Sequence, residues 1–159
     1  MNKISQQQLL SAVFRKVLNR EFQSTSLDDR IILQKIVFFM HEMGISCGNY
    51  KFVWDLYGPF SPSLSDDMKK KVIEEKPVIF NQDAEDVMKN LNQIFSESSA
   101  YEPRYWIEAI ASLLYLKEYM YPSYSNEELI TELETRKTTL RNHQENLKAM
   151  SALGKIMAM

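Results

Sequence analysis

Most apolar positions along the chain recur at helical spacing. Leu9, Leu10, Val13, Phe14, Val17 and Leu18 share one side of a helix predicted over 5–22, with Arg15, Lys16, Asn19 and Arg20 opposite. Ser5 followed by Gln8 is a capping-box start. A polar break at Gln23-Ser24-Thr25-Ser26 precedes a second helix, and Ser26 with Asp29 repeats the box. Ile32, Leu33, Ile36, Val37, Met40 and Met43 form its apolar side, and Phe39 widens it. A stripe that wide predicts neighbours on more than one side. Gly44 is placed to end it, because glycine adopts the left-handed closing conformation at little cost.

The period then changes. From Asn49 to Tyr57, Tyr50, Phe52, Trp54 and Leu56 alternate with Lys51, Val53 and Asp55, which predicts a strand stopped by Gly58 and Pro59. Its expected partner is Pro77-Val78-Ile79-Phe80, in a small antiparallel ribbon around the intervening helix. That helix begins at Ser61-Pro62 or Ser63, since proline is tolerated in a first turn. Helices with such a ribbon allow a winged-helix-like layout.

The second half returns to helical spacing. Asp83 is the expected cap of a helix with Val87, Leu91, Ile94 and Phe95 as its stripe. Pro103 opens a helix that is apolar nearly all round, from Tyr105 through Leu116 to Tyr121, and Pro122 closes it. Ser125 and Glu128 form another capping box, before a helix running towards Lys137. Leu140, Leu147, Met150 and Leu153 mark a last helix closed by Gly154, with 155–159 as a tail. The expectation is a mainly α chain, 1–159, folded as a single compact helical domain with a small two-stranded β ribbon. The polar stretch 96–102 is the candidate subdomain break.

Composition narrows the function classes. Hydrophobic residues make up 45% and charged residues 25%, ordinary values for a globular chain able to bury a core. The net charge of −2 does not call for a polyanionic partner. One cysteine, Cys47, cannot form an internal disulfide, which suits a reducing compartment. The N-terminus lacks the apolar core of a signal peptide, and no run reaches the roughly 18 apolar residues of a membrane span. The expected location is the cytoplasm, with no membrane association.

Candidate chemistry is sparse. One cysteine and two histidines, His41 and His143, form none of the spacings used to hold zinc, and no glycine-rich phosphate loop is present. No cofactor is expected. The one nameable nucleophile is Cys47, with His41 or His143 as its conceivable base, and no orienting third group accompanies it. Paired acids such as Asp28-Asp29 and Asp66-Asp67 fall at helix starts, where the helix dipole already explains them. Lys69, Lys70 and Lys71 form a short basic run, a nucleic-acid candidate that is equally a solvated helix face. The turn Tyr57-Gly58-Pro59-Phe60-Ser61-Pro62 allows two readings. Its aromatics can plug the core, or they can form a partner-binding knob of the kind tyrosine and tryptophan make at interfaces. Met157 and Met159 pose the same choice at the tail.

Two islands carry a resemblance. Leu33-Gln34-Lys35-Ile36-Val37-Phe38-Phe39, and Tyr57-Gly58-Pro59-Phe60-Ser61 followed by Leu64 and Met68, resemble segments of the Panacea (SocA-like antitoxin) superfamily. They also resemble the related YwgA-like bacterial, archaeal and phage proteins. The helix from Trp106 to Leu116 and the run Glu132 to Lys137 are similar to the YwgA-like branch in particular. The chain departs from that pattern after Lys137, where Thr138 stands in place of a common proline. The resemblance implies a non-enzymatic protein that neutralises a toxin, defence or host protein by direct contact, in a phage or prophage setting. The expected partner-binding residues are Gln34, Lys35, Tyr57, Phe60 and Pro62. A nucleic-acid-binding regulator is the alternative, an enzyme using Cys47 the third reading, and self-association stays open.

Overall fold

The computed structural model describes residues 5–70 and 76–158. The helices are α1 (Gln6–Leu18), α2 (Leu27–Glu42), α3 (Pro62–Met68), α4 (Gln82–Phe95), α5 (Pro103–Tyr115), α6 (Asn126–Arg136) and α7 (His143–Met157). Between α2 and α3 lie two short strands, β1 (Val53–Asp55) and β2 (Gly58–Phe60). The chain is therefore mainly α with a small antiparallel ribbon.

Local sequence explains most boundaries. The capping boxes at Ser5/Gln8 and Ser125/Glu128 form in full. Each satisfies backbone donors that a helix start leaves open, worth about 1 kcal/mol per cap. Asn19 ends α1 in the left-handed conformation, at φ 58°. Ser26 caps α2 through the Asp29 amide, but the box there is incomplete. The Asp29 carboxylate instead takes Arg20 from both sides, at 2.9 and 2.7 Å, and the Gln23 amide at 2.9 Å. A buried acid thus ties the end of α1 to the start of α2. Pro103 and Pro62 both occupy first turns.

Three details of chain layout differ from expectation. The strand partner is not Pro77–Phe80, which forms no strand and leaves Ile79 91% exposed. The ribbon is a tight hairpin in which Val53 faces Phe60, Trp54 faces Pro59 and Asp55 faces Gly58. Gly58 is at φ 89°, so the chain can reverse over Leu56-Tyr57 and pair at once with the nearest extended segment. The cap of α4 is Asn81 rather than Asp83, because its side chain meets the Ala84 amide at 2.8 Å. Gly154 does not close α7, which continues to Met157. No positive φ is needed there, and Ile156 beyond it is fully buried and holds the last turn in place.

One apolar cluster runs through the molecule from Leu10 to Ile156. Helix α5 is its axis, packed against α2 on one side and α7 on another, with α4 and α6 beside it. Trp106 on α5 is buried, and its indole N–H donates to the Ile94 carbonyl of α4 at 3.0 Å. Beyond Tyr115 the helix widens into a π turn, Leu116–Met120. Residues 96–102 join α4 to α5 as an exposed to half-buried segment, and Tyr101 packs against the cluster. Of the described helices, none is long and apolar enough to cross a membrane.

Candidate partner-binding site

The hairpin is held from beneath by three polar side chains, two from α2 and one from just past α6. Gln34 of α2 makes a two-way contact with Ser61. Its amide donates to the Ser61 carbonyl at 3.0 Å, and its carbonyl accepts the Ser61 N–H at 2.9 Å. Lys35 donates from Nζ to the Pro59 carbonyl at 2.8 Å. Lys137, just past α6, donates to the Asp55 carbonyl at 2.9 Å and also to the Leu56 carbonyl. Ser61 in turn caps α3. The backbone polar groups of a reversing, half-buried segment must find partners, and here two lysines and a glutamine supply them.

Opposite these cations lies one buried carboxylate. Glu108 of α5 is 1% exposed, as is Lys35. Burial pushes Lys35 down to about 7, against the opposing pull of Glu108. Burial also raises Glu108 above the usual carboxylate range, while Lys35, Lys137 and Arg104 draw it back. Lys137 is lowered by burial, and Glu108 and Asp55 oppose the shift. Arg104, Glu108 and Ser112 stand at successive turns of α5 and make a polar stripe along an otherwise apolar helix. Among the described residues Glu108 Oε2 and Ser112 Oγ have no hydrogen-bond partner. A Cβ at residue 58 would lie 2.5 Å from Ser112 Oγ, so both the backbone angle and the space demand glycine there.

Above this base the hairpin presents its side chains outward. Leu56, at the tip, is 71% exposed, and Val53 is also exposed. Trp54 and Tyr57 are half-buried. Tyr57 forms a wall of two recesses. One is a small apolar notch of about 100 Å³ with Leu27, Ile31, Phe60 and Met68. The other is a cleft of about 400 Å³ between the hairpin, Arg104 and the α6–α7 loop. Beside them, Trp54 and Tyr115 rings lie 5.8 Å apart, and Tyr115 and Tyr119 5.0 Å apart, so aromatic surface extends from the hairpin to the π turn.

The five expected partner-binding residues divide. Tyr57 and Phe60 are half-buried at the recesses and Pro62 is exposed on the first turn of α3. Gln34 and Lys35 are buried beneath the corner, at the floor of the small notch. They point inward because the hairpin's backbone needs donors and acceptors there, and they act by fixing the corner. The sequence pattern does not mark Leu56, Arg104 or Glu108 as site residues, and it marks Arg136 and Lys137 only as part of a basic stretch with Arg141, Lys148 and Lys155 that suits nucleic acid. The spacing of Arg104, Glu108 and Ser112 on so apolar a helix was the available signal for the buried stripe.

The other candidates lie elsewhere. Lys69 and Lys70 are exposed at the end of α3, where Lys70 pairs with Asp67 at 3.2 Å, and Lys71 lies outside the described residues. Met157 is exposed, and Met159 also lies outside the described residues. Cys47 is buried, and burial pushes its thiol up to about 11, away from the reactive thiolate. His143 bonds Glu134 at 3.0 Å at the start of α7. Among the described residues no hydrogen bond joins either histidine to Cys47, and no three His, Cys, Asp or Glu side chains come together to hold a metal ion.

Set beside family models, curated proteins and solved structures, the chain matches none of them.

Proposed function

We propose that this chain is a non-enzymatic regulator that acts by binding another protein and blocking it sterically. The observation that carries the reading is the hairpin. An exposed leucine stands at its tip, and recesses flank it on both sides. Its backbone is fastened to α2 by Gln34 and Lys35 and to the end of α6 by Lys137. A surface fixed before binding loses little entropy when a partner arrives. Tyrosine, tryptophan and arginine around an apolar centre are the residues that dominate protein interfaces. The Panacea-like sequence islands support the same reading, since Leu33–Phe39 and Tyr57–Ser61 are the segments that build and hold this corner. An antitoxin, or a phage-encoded inhibitor of a defence or host protein, is its concrete form.

Affinity capture from the native host tests it, with Leu56→Asp and Phe60→Ala beside the wild type. A stoichiometric protein retained by the wild type is expected to be lost from both variants, with affinity falling about thirtyfold for a central contact. Retention unchanged in both, or no stoichiometric partner at all, would overturn the proposal.

A further inference from the structure

The cleft beside the hairpin tip has the opposite charge sign to the chain as a whole. The chain carries a net charge of −2. The cleft is lined by Arg104, Arg136 and Lys137, with a single carboxylate, Asp55. Trp54 and Tyr57 form aromatic walls and Thr138 stands at the loop side.

Its cations are already held in place. Arg104 lies over the Tyr105 ring at 4.2 Å and the Tyr57 ring at 5.5 Å. Arg136 lies 5.9 Å from the Trp54 centroid and 5.7 Å from that of Tyr121, and Lys137 Nζ is 4.9 Å from Trp54. Rings that position a guanidinium reduce the ordering cost of using it.

The donors are only partly used. Arg104 gives Nη1 to Asp28 at 3.0 Å, and among the described residues its buried Nε has no partner. Arg136 gives Nε to Glu132 at 2.8 Å and Nη2 to the Tyr121 hydroxyl at 2.7 Å. Among the described residues no hydrogen bond engages Arg104 Nη2 or Arg136 Nη1. Lys137 is committed to the hairpin carbonyls and contributes field rather than a free donor. Two guanidinium groups with spare N–H donors, in one recess, suit a carboxylate.

We infer that this cleft anchors an acidic segment of the partner protein, with a carboxylate on Arg104 and Arg136 and a neighbouring apolar side chain against Leu56. The inference rests on the protein-binding reading above and names the chemistry of that partner. A nucleic-acid strand fits less well. A continuous phosphate backbone needs a run of cations beyond the recess, and Lys69 and Lys70 lie just past α3, outside the cleft's lining.

The test uses the full chain and a fluorescently labelled oligo-glutamate peptide, with oligo-lysine and single-stranded oligo-dT as comparison probes. Oligo-glutamate is expected to bind, oligo-lysine not to bind, and oligo-dT to bind more weakly. Arg136→Glu and Thr138→Glu are each expected to weaken oligo-glutamate about tenfold or more, the scale of one charge-assisted contact. Lys148→Glu, on α7 outside the cleft, is expected to change little. Thr138 is exposed and among the described residues no hydrogen bond engages its side chain, so its variant keeps the test valid if Arg136→Glu unfolds. Oligo-glutamate binding that ignores both cleft substitutions, or preference for oligo-dT, would overturn the inference. A native partner captured equally by wild type and Thr138→Glu would overturn it too while leaving the protein-binding reading standing. Cleft-dependent oligo-glutamate binding with no native partner would support the acidic chemistry and remove the protein-binding reading.

Discussion

Helix α5 has two sides that hold the molecule together by different means. On one, Trp106, Ile107, Ile110, Leu113 and Leu114 pack into the apolar cluster shared with α4 and α7. On the other, Arg104, Glu108 and Ser112 face the region under the hairpin, where Lys35 and Lys137 arrive from α2 and from the end of α6. The apolar side is non-directional, since many packings of similar volume satisfy it. The polar side is directional, because each carbonyl of the hairpin must meet one donor at one distance. The first supplies stability. The second adds little net energy, since desolvating buried charges offsets much of their attraction. It fixes where the hairpin stands. For the function proposed above, that second property matters most where the partner-facing surface lies.

The largest expected effects set these sides against each other. Trp106→Ala removes a buried ring and its bond to Ile94, and is expected to cost about 3–5 kcal/mol in denaturant unfolding. Glu108→Leu alone leaves Lys35 and Lys137 without their opposing charge, and is expected to cost about 3 kcal/mol. Adding Lys35→Met to Glu108→Leu should recover part of that loss while loosening the corner. Loosening would show as faster amide exchange at Pro59's neighbours, Gly58 and Phe60. A double variant less stable than Glu108→Leu, or one whose hairpin exchanges as slowly as the wild type's, would remove the distinction between the two sides.

Gly58→Ala comes next. A side chain there meets both the positive φ and the Ser112 hydroxyl, for an expected loss of about 2–3 kcal/mol. Ser112→Gly in the same chain should return the steric part and leave the backbone strain. If Gly58→Ala is neutral, the close approach of hairpin and α5 is not a constraint.

The smallest effect is the dependence of stability on pH. Lys35 titrates at about 7 when folded, against 10.5 for an ordinary lysine. Between those values the unfolded chain holds a proton that the folded chain does not, so stability rises with pH across that window. The slope is at most about 1.4 kcal/mol per pH unit. Glu108 is shifted upward, so from 4.5 up to its folded value the folded chain holds the extra proton, and stability falls as pH rises there. The pair's contribution is therefore lowest near neutrality. Subtracting the curve of the Lys35→Met/Glu108→Leu variant from that of the wild type should leave this trough, and a flat difference would contradict the buried-charge account.

The legibility of the fold follows from the range of the forces involved. Ser5 with Gln8, Ser125 with Glu128, and the prolines at 62 and 103 act within one turn of chain, so their meaning is readable in place. The apolar stripes of α2 and α5 mark central helices for the same reason. Pro77–Phe80 has the composition of a strand, but pairing is decided by what lies alongside. Once Gly58 turned the chain, β2 was already there. Gly154 carries a stop signal that the burial of Ile156 overrides.

A mainly helical chain, its principal helices, a sharp corner beside Gly58 and the absence of familiar catalytic spacings are all readable in the sequence, because these depend on near neighbours; the reversal itself falls at Leu56-Tyr57, with Gly58 and Pro59 already in β2. The inward turn of Gln34 and Lys35, the meeting of Glu108 with Lys35 and Lys137, and the exposure of Leu56 between two recesses emerge from the folded chain alone. Those facts join residues from α2, the hairpin, α5 and α6. A lysine's place at the surface or in the core is settled by which carbonyls and carboxylates the fold brings within reach of its amine.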